Sequence, residues 1–277
     1  MINGHTQLFG IIGDPVEHSL SPAMHNAALA HLGLNGVYVP MRPADLTQAF
    51  HGLRSLGFIG VSVTVPFKVA VMDLLDAIDP VARKIGAVNT LVFERTGTSI
   101  RCIGHNTDWL GSNRALAEVI DVKGRSILLI GAGGAARAVG FGLIEAGASV
   151  LLTNRTEARG QELAEQMGCP FIPAAQLAQV RADALINTTS AGMAPNIDEM
   201  PIAPELLPHF PVVMDIVYAP LETRLLREAT ACGCHTIDGL AMLQYQGAAQ
   251  FTLWTGREAP HPVMRQALLA ALHGRHS

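Results

Sequence analysis

Residues 61–68 read VSVTVPFK and end on a lysine. Lysine and arginine together number 19, and only three of these, Lys68, Lys84 and Lys123, are lysine. Arginine stays charged at every useful pH, whereas lysine gives up a proton when its surroundings favour the neutral amine. Lys68 is therefore a candidate acid/base at the end of a strand in which Ser62 and Thr64 alternate with valines, the pattern of one greasy and one polar face. The plain alternative is a lysine that simply ends a surface strand. Two more hydroxyls, Ser19 and Ser21 of HSLSP, stand at the start of a helix, whose free N–H groups favour an anion. Ser21 alone reads as an ordinary N-cap, which leaves Ser19 unexplained. GAVNT (86–90) and GHNTD (104–108) add Asn89 and Asp108 at element boundaries. Asp108 begins a helix, so it also reads as a cap that favours the helix dipole.

A second group of residues suits a nucleotide. Gly131, Ala132, Gly133, Gly134, Ala135 and Ala136 fit G-x-G-x-x-A between an apolar strand and a helix, where the backbone can approach a pyrophosphate at a helix N-terminus. The alternative is a tight strand–helix turn without a ligand. NAD sites usually carry an acid at the end of the next strand, for the ribose 2′-hydroxyl. Here SVLLT runs into Asn154, Arg155 and Thr156, with Arg159 one turn on, and Glu157 reads as a first-turn residue favouring the dipole. Two guanidinium groups suit a 2′-phosphate, so NADP is the expected cofactor.

These residues need a scaffold of alternating strands and helices. TQLFGIIG (6–13), GVYVP and IGVSVTV read as strands. SPAMHNAALAHLG and ADLTQAFHGLRSLG are the helices between them, the first with Ser21 as N-cap, Pro22 at its first position and Gly33 past its end. VNTLVFE and SIRCIGHNT flank RTGT as a β-hairpin. A helix begins at Asp108. From SILLI (126–130) onward, short apolar strands alternate with helices, which predicts a parallel sheet covered on both faces. From Gly239 the chain is two helices that cannot form a core alone and must pack on something earlier.

At 277 residues the chain suits one large domain or two ordinary ones. A net charge of −4 and a pI near 6.2 argue against nucleic acid or an anionic membrane as partner. The N-terminal segment lacks a basic stretch followed by a long apolar core, so no secretory signal is expected. No apolar run reaches the ~18 residues that span a bilayer. Cys102, Cys169, Cys232 and Cys234 lack zinc-site spacing, so no metal is expected and a reducing cytoplasm is the simplest setting.

GDPVEHSLSP, VTVPFK, GAVNT, GHNTD, IGAGGAARA, NRTEAR, NTTSAGM and DGLAMLQYQGA occur in this order in shikimate dehydrogenases. The chain thus resembles the shikimate/quinate dehydrogenase family nearly end to end. The resemblance implies an α/β fold of two domains around a cleft. Residues 1–107 and 239–277 would form the substrate domain, and 108–238 a Rossmann-type NADP domain. It implies reversible, NADPH-dependent reduction of 3-dehydroshikimate to shikimate, a step towards chorismate and the aromatic amino acids. It gives Ser19 and Ser21 the substrate carboxylate, and Thr64, Asn89, Asp108 and Gln246 the ring hydroxyls, with Tyr218 at a further substrate position. The loop Gly131 to Ala135 would meet the pyrophosphate, Asn154, Arg155, Thr156 and Arg159 the 2′-phosphate, and Ile216 and Gly239 the nicotinamide side. Lys68 matches the family's acid/base, with Asp108 close by. An ionised Asp108 would hold Lys68 charged, which suits ketone reduction better than alcohol oxidation. Ser62 stands where many members carry asparagine, and Ala241 where glycine is common. A small-molecule substrate and a monomer or homodimer are expected. A broader quinate/shikimate dehydrogenase and a catalytically silent NADPH sensor are the alternatives, and the presence of Lys68 and Asp108 speaks against the second.

Overall fold

The segments QLFGII and FIGVSV, rich in residues that fit a pleated, buried surface, lie side by side as parallel strands. In the computed structural model, which describes residues 2–274, the chain begins with β1 (Gln7–Ile12), α1 (Ser21–His31), β2 (Gly36–Met41), α2 (Leu46–Ser55) and β3 (Phe58–Val63). A single turn α3 (Phe67–Ala70), β4 (Ala77–Ile78), α4 (Pro80–Ile85), β5 (Thr90–Thr96) and β6 (Ser99–His105) follow. The sheet order is β2-β1-β3-β5-β6-β4, with β1 parallel to β2 and β3, and β5 antiparallel to β3 and β6. The hairpin expected around RTGT is present, turning at Gly97 with φ +62°.

Three local expectations are corrected. Leu20 takes the N-cap of α1 and Ser21 is its first helical residue, while the Ser19 Oγ accepts a hydrogen bond from the Ser21 N–H at 3.2 Å. Ser19, not Ser21, thus serves the helix end. β3 stops at Val63, and Lys68 lies inside α3 rather than at a strand end, because Pro66 cannot donate to a ladder and the chain leaves the sheet. The alternating residues of β3 do not give it a solvated face: Val61, Ser62 and Val63 are 0%, 5% and 2% exposed.

The second unit contains α5 (Asp108–Ala117), β7 (Ser126–Ile130), α6 (Gly134–Glu145), β8 (Ser149–Thr153), α7 (Glu157–Met167), β9 (Ala184–Asn187), β10 (Val212–Asp215), α8 (Arg224–Ala231) and β11 (His235–Ile237). All five strands are parallel, in the order β11-β10-β9-β7-β8. Ile127 and Leu129 pack into one core cluster and Leu128 and Ile130 into the other, so both faces are covered. Chain direction across the sheet reverses between β7 and β9, and a crevice forms at such a switch point.

α9 (Gly239–Thr255) and α10 (His261–His273) complete the chain. The chain divides into Met1–Thr107 with Gln246–Ser277, and Asp108–Tyr245. The second division therefore falls inside α9, not at residue 239: Met242 is part of the Rossmann-side core, with Ala241 and Tyr245 packed against it. Residues 1 and 275–277 of the expected substrate domain lie outside the described residues. Beyond the division, Trp254 covers β3 so closely that a Cβ on Gly60 would lie 2.1 Å from its Cδ1, and α10 packs on α1.

His25 of α1 is buried against Tyr38, with ring centroids 4.4 Å apart, and against Phe251 and Trp254. Burial pushes its imidazole down to about 3, against a weaker opposing effect of the Gln250 side chain. The fold thus favours the neutral ring, so stability that is full above about pH 6.5 is lost as pH falls towards 3, at about 1.4 kcal/mol per unit. Urea unfolding at pH 6.5 and pH 5 should show wild type losing about 2 kcal/mol more than His25→Phe. Equal losses would show that His25 is not kept neutral by the fold.

Candidate active site

The first unit gathers five segments that are distant in sequence. The Val63 N–H donates to the Asn89 carbonyl and the Val88 N–H to the Lys68 carbonyl, both at 2.8 Å, so GAVNT lies along VTVPFK. The Thr64 N–H donates to the Ile12 carbonyl, and a Cβ on Gly13 would lie 2.3 Å from Thr64 Cγ2, so the GDP loop starts beside Thr64. Asn89 is 2% exposed. Its Nδ2 donates to Gln246 Oε1 at 3.0 Å and Thr107 Oγ1 at 3.1 Å, and its Oδ1 accepts from the Thr107 N–H at 2.7 Å.

One turn beyond Gln246, Gln250 extends this network. Its Nε2 donates to the Asn89 carbonyl and to Thr90 Oγ1, and its Oε1 accepts from Ser62 Oγ, which accepts in turn from the Tyr38 phenol at 2.7 Å. Burial pushes the Tyr38 phenol well above its ordinary range, with the Ser62 and Ser21 hydroxyls opposing. Ser21, Asn89 and Gln246 therefore join one polar system, of which Ser21 and Asn89 are buried; Gln246, like Ser19, Thr64 and Lys68, is half-buried. Tyr38, Thr90, Thr107 and Gln250 escaped the sequence reading. Only Gln250 had a signal, its spacing of four from Gln246 on one helix face.

In the second unit, Gly131 sits at φ +123°, and a Cβ there would lie 2.6 Å from Thr188 Oγ1, so the fold itself requires this glycine. A Cβ on Gly133 or Gly134 would meet nothing within 4 Å. The protein's own packing does not demand these two glycines; close approach of a pyrophosphate to the backbone would. Neither α6 nor α7 has a side-chain N-cap bond, which leaves first-turn N–H groups for an anion.

A cavity of about 790 Å³ spans the ends of β7, β8 and β9. It is lined by Gly131, Ala132 and Gly133, by Asn154, Arg155, Thr156 and Arg159, and by Thr188 to Ala191. Gly134 and Ala135 do not line it. Arg155 and Arg159 are exposed, and among the described residues neither has an ion-pair or hydrogen-bond partner. Glu199 and Pro201 line the cavity from the loop after β9, with no sequence signal to mark them. Ile216 and Gly239 touch: a Cβ on Gly239 would lie 2.5 Å from the Ile216 carbonyl oxygen. Those two and Tyr218 lie outside the cavity lining, and Asp108 opens α5 at 3% exposure. Among the described residues, no cluster of His, Cys, Asp or Glu could hold a metal, and no helix is long and apolar enough to cross a membrane.

A parallel sheet with a glycine turn after its first strand, a cavity across the strand ends and two unpaired arginines define the second unit as a doubly wound, dinucleotide-binding module of Rossmann type. The whole chain is more specific still. Residues 11–91 match the family model for the shikimate dehydrogenase substrate-binding domain, 113–200 that for shikimate/quinate 5-dehydrogenase and 239–269 that for the shikimate 5′-dehydrogenase C-terminal domain. The chain is 47% identical to the NADP+ shikimate dehydrogenase of Moorella thermoacetica, over 98% of this chain and 95% of that one. It superposes with a TM-score of 0.92 and 43% identity, over 98% of both chains, on a shikimate dehydrogenase crystallised with NADP+. For the shikimate 5-dehydrogenase of Thermus thermophilus, crystallised with NADP(H) and shikimate, the TM-score is 0.87 at 42% identity, over 96% of this chain and 100% of that one. This chain belongs to the shikimate/quinate dehydrogenase family.

Proposed function

We propose that the chain catalyses the reversible, NADPH-dependent reduction of 3-dehydroshikimate to shikimate, on the route to chorismate and the aromatic amino acids. The observation that carries this reading is the polar system of Ser21, Asn89, Gln246 and Gln250 built against the segment that bears Lys68. It offers hydroxyls and amides for a polyhydroxylated ring beside a group able to exchange a proton.

Ser19 and Ser21 take the substrate carboxylate. The Ser19 oxygen accepts from the Ser21 N–H, and its O–H is the group that donates to the carboxylate. Thr64, Asn89, Asp108 and Gln246 hold the ring hydroxyls, with Tyr218 at a further substrate position. NADPH, held by the Gly131–Ala135 turn, by Asn154, Arg155, Thr156 and Arg159, and by Ile216 and Gly239, supplies the hydride when bound. The Lys68 Nζ donates a proton to the carbonyl oxygen as the ketone is reduced and takes it back when the alcohol is oxidised. Residues 1–107 with the C-terminal helices act as the substrate domain and the parallel-sheet unit as the NADP domain. The same reading places the enzyme in the cytoplasm, as a monomer or homodimer.

Steady-state turnover followed by NADPH absorbance, with shikimate and quinate each offered NADP and NAD, tests the reading. Shikimate with NADP should be the best pair; faster turnover of quinate would establish the broader quinate/shikimate enzyme, and no turnover the silent sensor. The Ser19→Ala/Ser21→Ala variant should raise KM for shikimate at least tenfold, since each hydrogen bond to a charged group contributes about 1.5–3 kcal/mol. NADP affinity should not change. An unaltered KM would move the carboxylate site elsewhere.

A further inference from the structure

Asp215, the last residue of β10, is 0% exposed and accepts three hydrogen bonds. Its Oδ1 accepts from Asn187 Nδ2 at 2.9 Å and from the Val217 N–H at 3.0 Å, and its Oδ2 from Thr223 Oγ1 at 2.7 Å. Each donor controls a different piece of chain. Asn187 ends β9 opposite Asp215, and its Oδ1 accepts from the Thr189 N–H and Thr189 Oγ1, while its Nδ2 also reaches the Ala191 carbonyl. That amide thus shapes the turn Thr188–Ala191, which lines the nucleotide cavity. Val217 lies between Ile216 and Tyr218. Thr223 caps α8 through the Leu226 N–H.

We infer that Asp215 is a positioning residue of the nucleotide site: its carboxylate fixes the Thr188–Ala191 turn and the Ile216–Tyr218 loop that receive the pyrophosphate and nicotinamide portions, and leaves the 2′-phosphate end to Arg155 and Arg159. This rests on the reading of the second unit as an NADP site. The three bonds suit a carboxylate, because all three partners donate and both oxygens accept. An amide or a protonated acid keeps the Thr223 contact only by reversing it, donating to an Oγ1 that already accepts from the Leu226 N–H and turning the Thr223 proton away from Asp215.

Burial of the charge, opposed by the same three hydrogen bonds, raises the Asp215 carboxyl to about 6. The carboxylate is therefore held at a cost that a purely structural position could avoid with a neutral side chain, and such perturbed groups cluster at functional sites. The neighbouring titratable groups are engaged elsewhere or face solvent. Glu222 is exposed, Arg224 is turned towards Glu228 and the Asp198 carbonyl, and Asp238, which follows β11, accepts from the Ala241 N–H at the start of α9.

Isothermal titration of NADP and of adenosine 2′-monophosphate into wild type and Asp215→Asn separates the two ends of the ligand. NADP should weaken at least tenfold in the variant, and the monophosphate less than threefold. Equal weakening of both, the mark of general loosening, or weakening of neither, overturns the inference. In wild type, the ratio of the two affinities should shift against NADP by about fivefold as pH falls from 7 to 5 through the Asp215 titration, and titration of the shared 2′-phosphate cancels in that ratio. If Asp215→Asn does not fold, a ratio independent of pH overturns the inference. Wild type that binds neither ligand would overturn the NADP reading itself.

Discussion

Replacing Lys68 by methionine lowers kcat for shikimate by roughly 10²–10⁴, the usual contribution of a general acid–base group, and leaves NADP affinity unchanged. The backbone of Lys68 accepts a hydrogen bond from the Val88 N–H and lies in a short helix, so the side chain can be changed without releasing the segment. Lys68→Arg separates charge from proton exchange, because a guanidinium keeps the positive charge but does not exchange a proton near neutral pH. If Lys68 only anchors the substrate electrostatically, the arginine variant retains most of its activity. If it transfers the proton, arginine is as poor as methionine. The bulk of a guanidinium could imitate that loss by a clash, and Lys68→Ala, which is smaller, removes the ambiguity. Near wild-type kcat with an unaltered pH profile in any of the three variants would sink the proton-transfer role.

How far such residues could be read from sequence depended on the physics of each unit. The nucleotide unit announced itself through local signals. SILLI and ALIN are continuous apolar runs because both faces of their sheet are covered, and the glycine turn must directly follow such a strand. Its short late elements were silent. α8, RLLREATA, buries only Leu225, Leu226 and Ala229 and otherwise reads as solvated, and β11 is three residues long. In the substrate unit the difficulty was range. The Ser62–Gln250 bond joins residues 188 positions apart, and a buried serine looks no different in sequence from a solvated one. The alternation in VSVTV therefore suggested a wet face where the returning C-terminal helix makes a dry, hydrogen-bonded one. The same helix hid the division of the chain: GLAMLQYQGAAQFTLWTG reads as one uninterrupted element, and only its packing puts Met242 and Trp254 in different units. The setting of Lys68 was not legible, since the short helix that holds it follows from Pro66 and from a backbone bond to Val88, twenty positions on.

Arg155→Ala/Arg159→Ala should abolish most of the preference for NADP over NAD. Two charge-assisted hydrogen bonds at about 1.5–3 kcal/mol each set an upper range of roughly 10²–10⁴ in relative kcat/KM. Both side chains are exposed, so solvent and salt reduce that figure, and a loss of at least tenfold is the outcome to expect. The substitutions leave nothing stranded: among the described residues neither guanidinium has a protein partner to lose, and α7 begins without help from either side chain. The variant should therefore fold as wild type does, and kcat/KM with NAD should change less than threefold, because the rest of the cavity is intact. Raising salt from 50 to 500 mM should weaken NADP in wild type and have little effect in the variant, the signature of a lost charge contact rather than lost shape. No acid stands at the end of β8, so removing the arginines does not by itself create an NAD enzyme; the ribose 2′-hydroxyl would find Asn154 and Thr156 alone. Wild type that already uses NAD as well as NADP, or a variant that loses both nucleotides equally, would show that the 2′-phosphate is not what these two arginines read.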